Sequence, residues 1–227
     1  MRLKALLAGD VRFQLKYGFY FVYAVFTVLY ITLLAAIPDA WKERVTVLLV
    51  FSDPAAMGLY FMGAIILLER SGRTLDSLAV SPVKPWELTV SKLSSIAVIS
   101  VLVAVLIAVF SGKALITVPF VFGVLLGSCM FSAVGLMIAA KSLTLNSFIL
   151  STIPAELVIN VPAIAYLFGW NPRWLLLHPG VSMIELCLNG KDVLPAALVL
   201  TLWTALTTAA AIRAVSKMMT AMGGMKL

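Results

Sequence analysis

Apolar residues along this chain gather into six runs, roughly 18–37, 45–68, 93–110, 114–140, 147–169 and 193–213. Each is close to the ~20 mostly apolar residues that a helix needs to cross a bilayer, and too long for an ordinary core helix. The pattern predicts an all-α integral membrane protein, with six transmembrane helices forming one compact domain over residues 18–213. A different periodicity precedes them. Leu3, Leu7, Val11 and Leu15, with Leu6 beside them, recur at helical spacing, while Arg2, Lys4, Arg12 and Lys16 occupy other faces. That predicts an interfacial amphipathic helix over residues 1–17, lying in the headgroup plane. A full-length apolar run follows it, unlike the short one of a cleavable signal peptide.

The punctuation between the runs adds detail. The stretch IPDAWKERV makes a brief external loop, with Trp41 placed as a headgroup anchor. Ser111, Gly112 and Lys113 alone join the third and fourth runs, which predicts a tight antiparallel hairpin. Gly123, Gly127, Ser128, Ser132 and Gly135 give the fourth span a face of small residues, suited to close approach by another helix of this or a second subunit. Pro154 and Pro162 are expected to bend or break the fifth span. Residues 170–192, WNPRWLLLHPGVSMIELCLNGK, are too polar for a seventh span. They read as a broken external re-entrant segment of two short helices, with His178 a helix-end residue at the break. Residues 214–227 form a cytoplasmic tail.

Composition narrows the class. Only 12% of the 227 residues are charged, against about 25% in soluble domains, and the mean hydropathy is +1.07. Of the 17 Lys and Arg, twelve fall on the side of the N-terminus and five on the other, which places both termini and the loop 69–92 in the cytoplasm of a multi-pass cell-membrane protein. The net charge of +7 suits anionic lipid and gives no reason to invoke nucleic acid. Cys129 and Cys187 draw no disulfide framework and read as packing residues. A phosphate-binding loop, an HExxH helix and a GxSxG elbow are all missing, and one histidine with two scattered cysteines builds no usual zinc site. No cofactor or metal is expected on this chain, and no enzymatic activity of its own.

Two acids interrupt the apolar runs, where a charge costs at least ~2.5–3.5 kcal/mol and is by default functional. Asp53 precedes Pro54, a pairing that can begin a helix; capping and a role in a substrate or proton path both fit. Glu156 follows Pro154, and Asn160 lies four residues on, on the same helix face. Asp53, Glu156 and Asn160 are the candidates for a substrate pathway.

Between the second and third runs lies LLERSGRTLDSLAVSPVKPWELTVSK, with seven of the chain's 27 charges. A connector needs only a few residues, and this one lays out a short helix, a stop at Ser81-Pro82, a turn at Lys84-Pro85 and an adjacent Trp86. A short rigid helix at the membrane surface suits docking. Glu69-Arg70-x-Gly72-Arg73-Thr74-Leu75-x-x-Leu78, then Ser81-Pro82-Val83, Glu87 and Lys92, resembles the cytoplasmic loop of type-2 ABC-transporter permeases, with Arg73 inserted and Ser81 where threonine is commoner. FSDPAAMGLYFMGAIILLER and LLAGDVRFQLKYGFYFVYAVFTVLY resemble the fluoroquinolone-exporter type of that family.

The resemblance implies a membrane subunit that pairs with a second permease subunit, alike or related, and with a separate ABC ATPase that holds the ATP and Mg. It makes residues 72–80 a coupling helix, framed by Glu69, Arg73, Thr74, Pro82, Pro85, Trp86 and Glu87, whose Leu75 and Leu78 fill a groove of the ATPase. The expected cargo is a small hydrophobic or amphipathic molecule, drug-like and cationic if both acids face the path, moved outward. The competing readings are an ion- or proton-coupled secondary transporter built on Asp53 and Glu156, and a scaffold that uses the loop only for binding.

Overall fold

The computed structural model describes residues 2–222, and among them every regular element is helical. In chain order these are α1 (Arg2–Lys16), α2 (Phe19–Ala36), α3 (Asp39–Ser52), a π-helical turn (Asp53–Gly58), α4 (Leu59–Ser71), α5 (Thr74–Ala79), α6 (Pro85–Phe110), α7 (Val118–Lys141), α8 (Leu145–Leu167), a 3-10 turn (Arg173–Leu177), α9 (Pro179–Leu188) and α10 (Val193–Met222). Five of them, α2, α6, α7, α8 and α10, are long and apolar enough to cross a membrane. Large apolar side chains such as Phe21, Leu157 and Leu198 stay exposed on their outer faces. A water-soluble protein would bury such surface; here the bilayer is the solvent.

The second predicted span, 45–68, takes another form. The helix starts earlier, at Asp39, and runs to Ser71, but a π-helical turn divides it, so no unbroken crossing helix exists there. Other boundaries move for local reasons. Pro85 occupies the first turn of α6, and the Glu87 carboxylate accepts the Lys84 N–H at 2.9 Å. This caps α6 eight residues before the predicted start of the third span. The Thr117 hydroxyl accepts the Phe120 N–H, so α7 starts at Val118 and the hairpin loop is longer than the three residues expected. Of the predicted tail, residues 214–222 continue α10 with Val215, Met218 and Met219 buried, and residues 223–227 lie outside the described residues.

Helix α8 keeps both prolines inside a continuous helix, so of the expected bend or break the break does not occur. Pro162 has no N–H for the Val158 carbonyl four residues back. His178, at the join between the 3-10 turn and α9, donates its Nε2 hydrogen to that carbonyl at 3.0 Å. The histidine thus satisfies the backbone group that the proline strands.

Helix α7 is the centre of the bundle, packing on α4, α6, α9 and α10. Its small residues admit neighbours from the same chain. A Cβ at Gly123 or Gly127 would meet Leu186 or Met183 of α9, one at Gly135 would meet the backbone of Leu59 in α4, and the Ser132 hydroxyl donates to the Gly58 carbonyl at 3.3 Å. Because a helix backbone cannot yield as a side chain can, Gly135→Ala is expected to lower stability by about 1–3 kcal/mol. Gly9, in α1, has open space around it, so Gly9→Ala should instead add up to about 1 kcal/mol through helix propensity. Thermal unfolding of the two variants beside the parent checks both signs.

Candidate functional site

At one end of the bundle a cluster of acidic and basic side chains joins three helices. Lys92 of α6 is 2% exposed, and its Nζ donates to Glu69 of α4 at 2.6 Å and to Asp10 of α1 at 3.0 Å. Ser91 donates to the other oxygen of Asp10, and Gln14, one turn along α1, donates to Ser95 at 2.9 Å. Helix α1 therefore buries its polar Asp10 and Gln14, while Leu15 stays exposed and the rest of its apolar stripe is half-buried. A buried cation fixes the rotation of α1, since an unpaired charge in that place would cost far more than a half-exposed leucine. Arg70 turns the other way and donates to the carbonyls of Ala140 and Ser142, the unpaired acceptors at the C-terminus of α7.

Helix α5 packs against α4, which carries Glu69 and Arg70, and against α10. Leu75 is 1% exposed within the protein's own core and Leu78 is half-buried against it, so Leu75 has no surface to offer a partner's groove and Leu78 only part of one. The six-residue helix has one apolar edge, and the nearest apolar surface is that of its own bundle. What it turns outward is Thr74, Asp76 and Ser77, with Val80 just beyond it 78% exposed. Pro82, Lys84 and Trp86 extend this outward surface, and Pro82 gives its carbonyl to Arg2 at 3.1 Å. Arg73 stands before the helix at φ 56°, a left-handed conformation that strains a residue with a Cβ. Pro85 and Glu87 serve the start of α6.

The pathway candidates do not form one site. Asp53 is buried, helical in backbone, and accepts no hydrogen bond, so it does not cap a helix start. Glu156 of α8 is half-buried and accepts the Tyr60 hydroxyl of α4 at 3.0 Å. Asn160, one turn on, keeps its side-chain oxygen buried and without a partner.

At the opposite end, short helix α9 is almost wholly buried, and it carries an acid that the sequence reading passed over. Glu185 accepts the Tyr166 hydroxyl at 2.6 Å and the Asp192 N–H at 3.0 Å, staking the turn into α10. It borders an open recess of about 730 Å³ together with Arg173 and Lys191. An acid inside the apolar piece VSMIELCL was the available signal. For Asp10 the signal was weaker, a four-residue spacing to Gln14.

The model of a family described as the fluoroquinolones export permease protein family matches residues 1–220. Two curated relatives, the fluoroquinolones export permease proteins of Mycobacterium tuberculosis strains CDC 1551 / Oshkosh and ATCC 25618 / H37Rv, are each 24% identical over 180 residues, which is 78% of this chain and 76% of theirs.

Proposed function

Because the chain belongs to the fluoroquinolones export permease protein family, we propose that it is the membrane-spanning subunit of an ATP-driven exporter of small hydrophobic or amphipathic, drug-like molecules. It is a multi-pass membrane protein, and its relatives carry the names of permeases, transport proteins rather than enzymes. In this reading a separate ABC ATPase binds ATP and Mg, and a second permease subunit completes the pathway. The divided run 39–71 serves as the sixth crossing. Both termini and α5 face the cytoplasm, α1 lies along the inner surface of the cell membrane, and residues 170–192 fold back from the outside.

The observation that carries the reading is α5, a helix too short to be stable alone, anchored by a buried leucine and turning a polar face with Val80 away from the protein. Such an element transmits displacement rather than absorbing it. A push on α5 reaches α10 through their direct contact, α6 and α1 through Glu69, Lys92 and Asp10, and α7 through Arg70. ATP-bound and ATP-free partners can shift the bundle only if they engage α5 with different affinity in its two arrangements. Glu156 with Tyr60, and Asn160 beside them, offer the polar stations of the path: a half-buried carboxylate can meet a cationic group that an apolar wall would exclude.

The test is to purify the tagged chain from native membranes and ask whether an ABC ATPase comes with it. Asp76→Lys and Val80→Asp, both on the exposed surface, should lower coupled ATP hydrolysis about tenfold or more, as loss of a docking hot spot does, while the permease stays folded. If no ATPase follows the permease even after gentle crosslinking, the proposal fails, and ion-coupled transport through Asp53 and Glu156 becomes the working reading.

A further inference from the structure

The recess of about 730 Å³ at the α9 end of the bundle collects charged side chains of both signs, Arg173 and Lys191 with Glu185 and Asp192. Its volume falls within the ~300–1,000 Å³ range of small-molecule sites. Among the described residues Arg173, Lys191 and Asp192 form no ion pair with one another or with any other group. Glu185 is bonded within the protein, to the Tyr166 hydroxyl and the Asp192 N–H. The Asp192 backbone is thus engaged while its carboxylate is not. A smaller recess of about 370 Å³ shares Tyr166 and Asn171 with the first and adds one charge of each sign, Glu43 and Arg44.

The balance of charge limits what this place holds. An anion alone would meet Asp192 and Glu185, and a cation alone would meet Arg173 and Lys191; a ligand that carries both signs matches all of them. The guanidinium fork of Arg173 and the ammonium of Lys191 suit a phosphate. The free carboxylate of Asp192 suits a primary ammonium, which donates hydrogen bonds that a quaternary one lacks. The surroundings say where such a ligand comes from. Trp170 and Trp174, edge to face with ring centroids 5.7 Å apart, are both more than half exposed. Rings of this kind sit at the level of lipid headgroups. From Lys191 the exposed side chains of Leu194, Leu198 and Leu202 follow at steps of three and four, an apolar track along α10. A soluble zwitterion has no use for that track, and an acyl chain does.

We propose that this recess binds the headgroup of an aminophospholipid, with the phosphate on Arg173 and Lys191, the primary ammonium at Asp192 and an acyl chain along Leu194, Leu198 and Leu202. The lipid belongs to the leaflet that residues 170–192 adjoin, and it ties the 3-10 turn to the start of α10. The site needs neither an ATPase nor a cargo, so its failure and the failure of the exporter reading are separate results.

The experiment follows thermal unfolding of the full-length protein in mild detergent with added dioctanoyl phosphatidylethanolamine, phosphatidylglycerol or phosphatidylcholine, or with chain-free glycerophosphoethanolamine. Phosphatidylethanolamine should raise the midpoint in a saturating manner, on the order of 5 °C in large excess over its Kd, and the other three should need several-fold more. Arg173→Gln with Lys191→Gln, at exposed positions that leave the fold intact, should lose the response. Asp192→Asn keeps the backbone N–H that holds Glu185, and should bring phosphatidylglycerol level with phosphatidylethanolamine. Equal shifts with all three lipids on the parent protein overturn the proposal, as does a phosphatidylethanolamine response that survives the double substitution. Glycerophosphoethanolamine acting as strongly as the lipid would also overturn it, since the ligand would then be a soluble phosphate compound.

Discussion

Replacing Lys92 with methionine is expected to lower the stability of the protein by about 3–5 kcal/mol, the usual penalty for breaking a buried ionic network from one side. Marginal stabilities of ~5–15 kcal/mol make that enough to remove most of the folded material in a weak background. The size follows from the geometry. Lys92 is the one cation bonded to both Asp10 and Glu69, and all three side chains are buried. Without it, two buried carboxylates remain with only Ser91 donating to Asp10 and nothing donating to Glu69. Removing the whole network behaves differently, because neutral groups of similar shape carry no desolvation debt. Lys92→Met combined with Asp10→Asn and Glu69→Gln should recover most of the loss. Detergent-solubilised yield and unfolding midpoint measure both variants. A single Lys92→Met variant that melts with the parent would show that these charges are not the joint between α1, α4 and α6.

The second large effect separates the inside of α5 from its outside. Leu75→Ala should cost about 2–5 kcal/mol, the range for emptying a filled core site. Val80→Asp, at an exposed position, should stay within about 0.5 kcal/mol of the parent. In the proposed exporter, transport and coupled ATP hydrolysis should reverse the contrast: Val80→Asp loses them while folded, and Leu75→Ala loses them only in proportion to lost protein. Measuring specific activity per folded molecule, beside the melting curve, distinguishes the two. Full stability of Leu75→Ala together with lost ATPase stimulation would mean that Leu75 faces the partner after all. The loop motif names Leu75 and Leu78 as conspicuous apolar positions, but the motif carries no sign for inward or outward.

The divided helix 39–71 and the unbroken course of α8 show how a local signal can be outvoted. Asp53-Pro54 reads as a helix start, yet continuous packing of α3, the π-helical turn and α4 against α7 carries the helix through, absorbing the irregularity as a wider turn. Pro154 and Pro162 read as breaks, yet the helix continues, and His178 supplies the hydrogen bond that Pro162 withholds. In each case the sequence marks the position of a stranded backbone group, and a residue or helix distant along the chain determines how it is resolved.

The sequence by itself determined what the short-range physics of apolar patterning can determine. Runs of about 20 apolar residues require helices in lipid, so the all-helical membrane class and five of the long helices were legible from it. Glu69 and Lys92 were legible as part of a motif, without their bond to each other. Tertiary structure alone decided which faces turn inward: that Leu75 is core, that α1 docks through Asp10, that the glycines of α7 receive α4 and α9 of the same chain, and that Asp53 ends without a partner. The reason is one of range. Helix formation depends on neighbours within a turn or two, whereas the partner of a buried charge, such as Asp10 and Lys92 across 82 positions, is set only when the bundle closes.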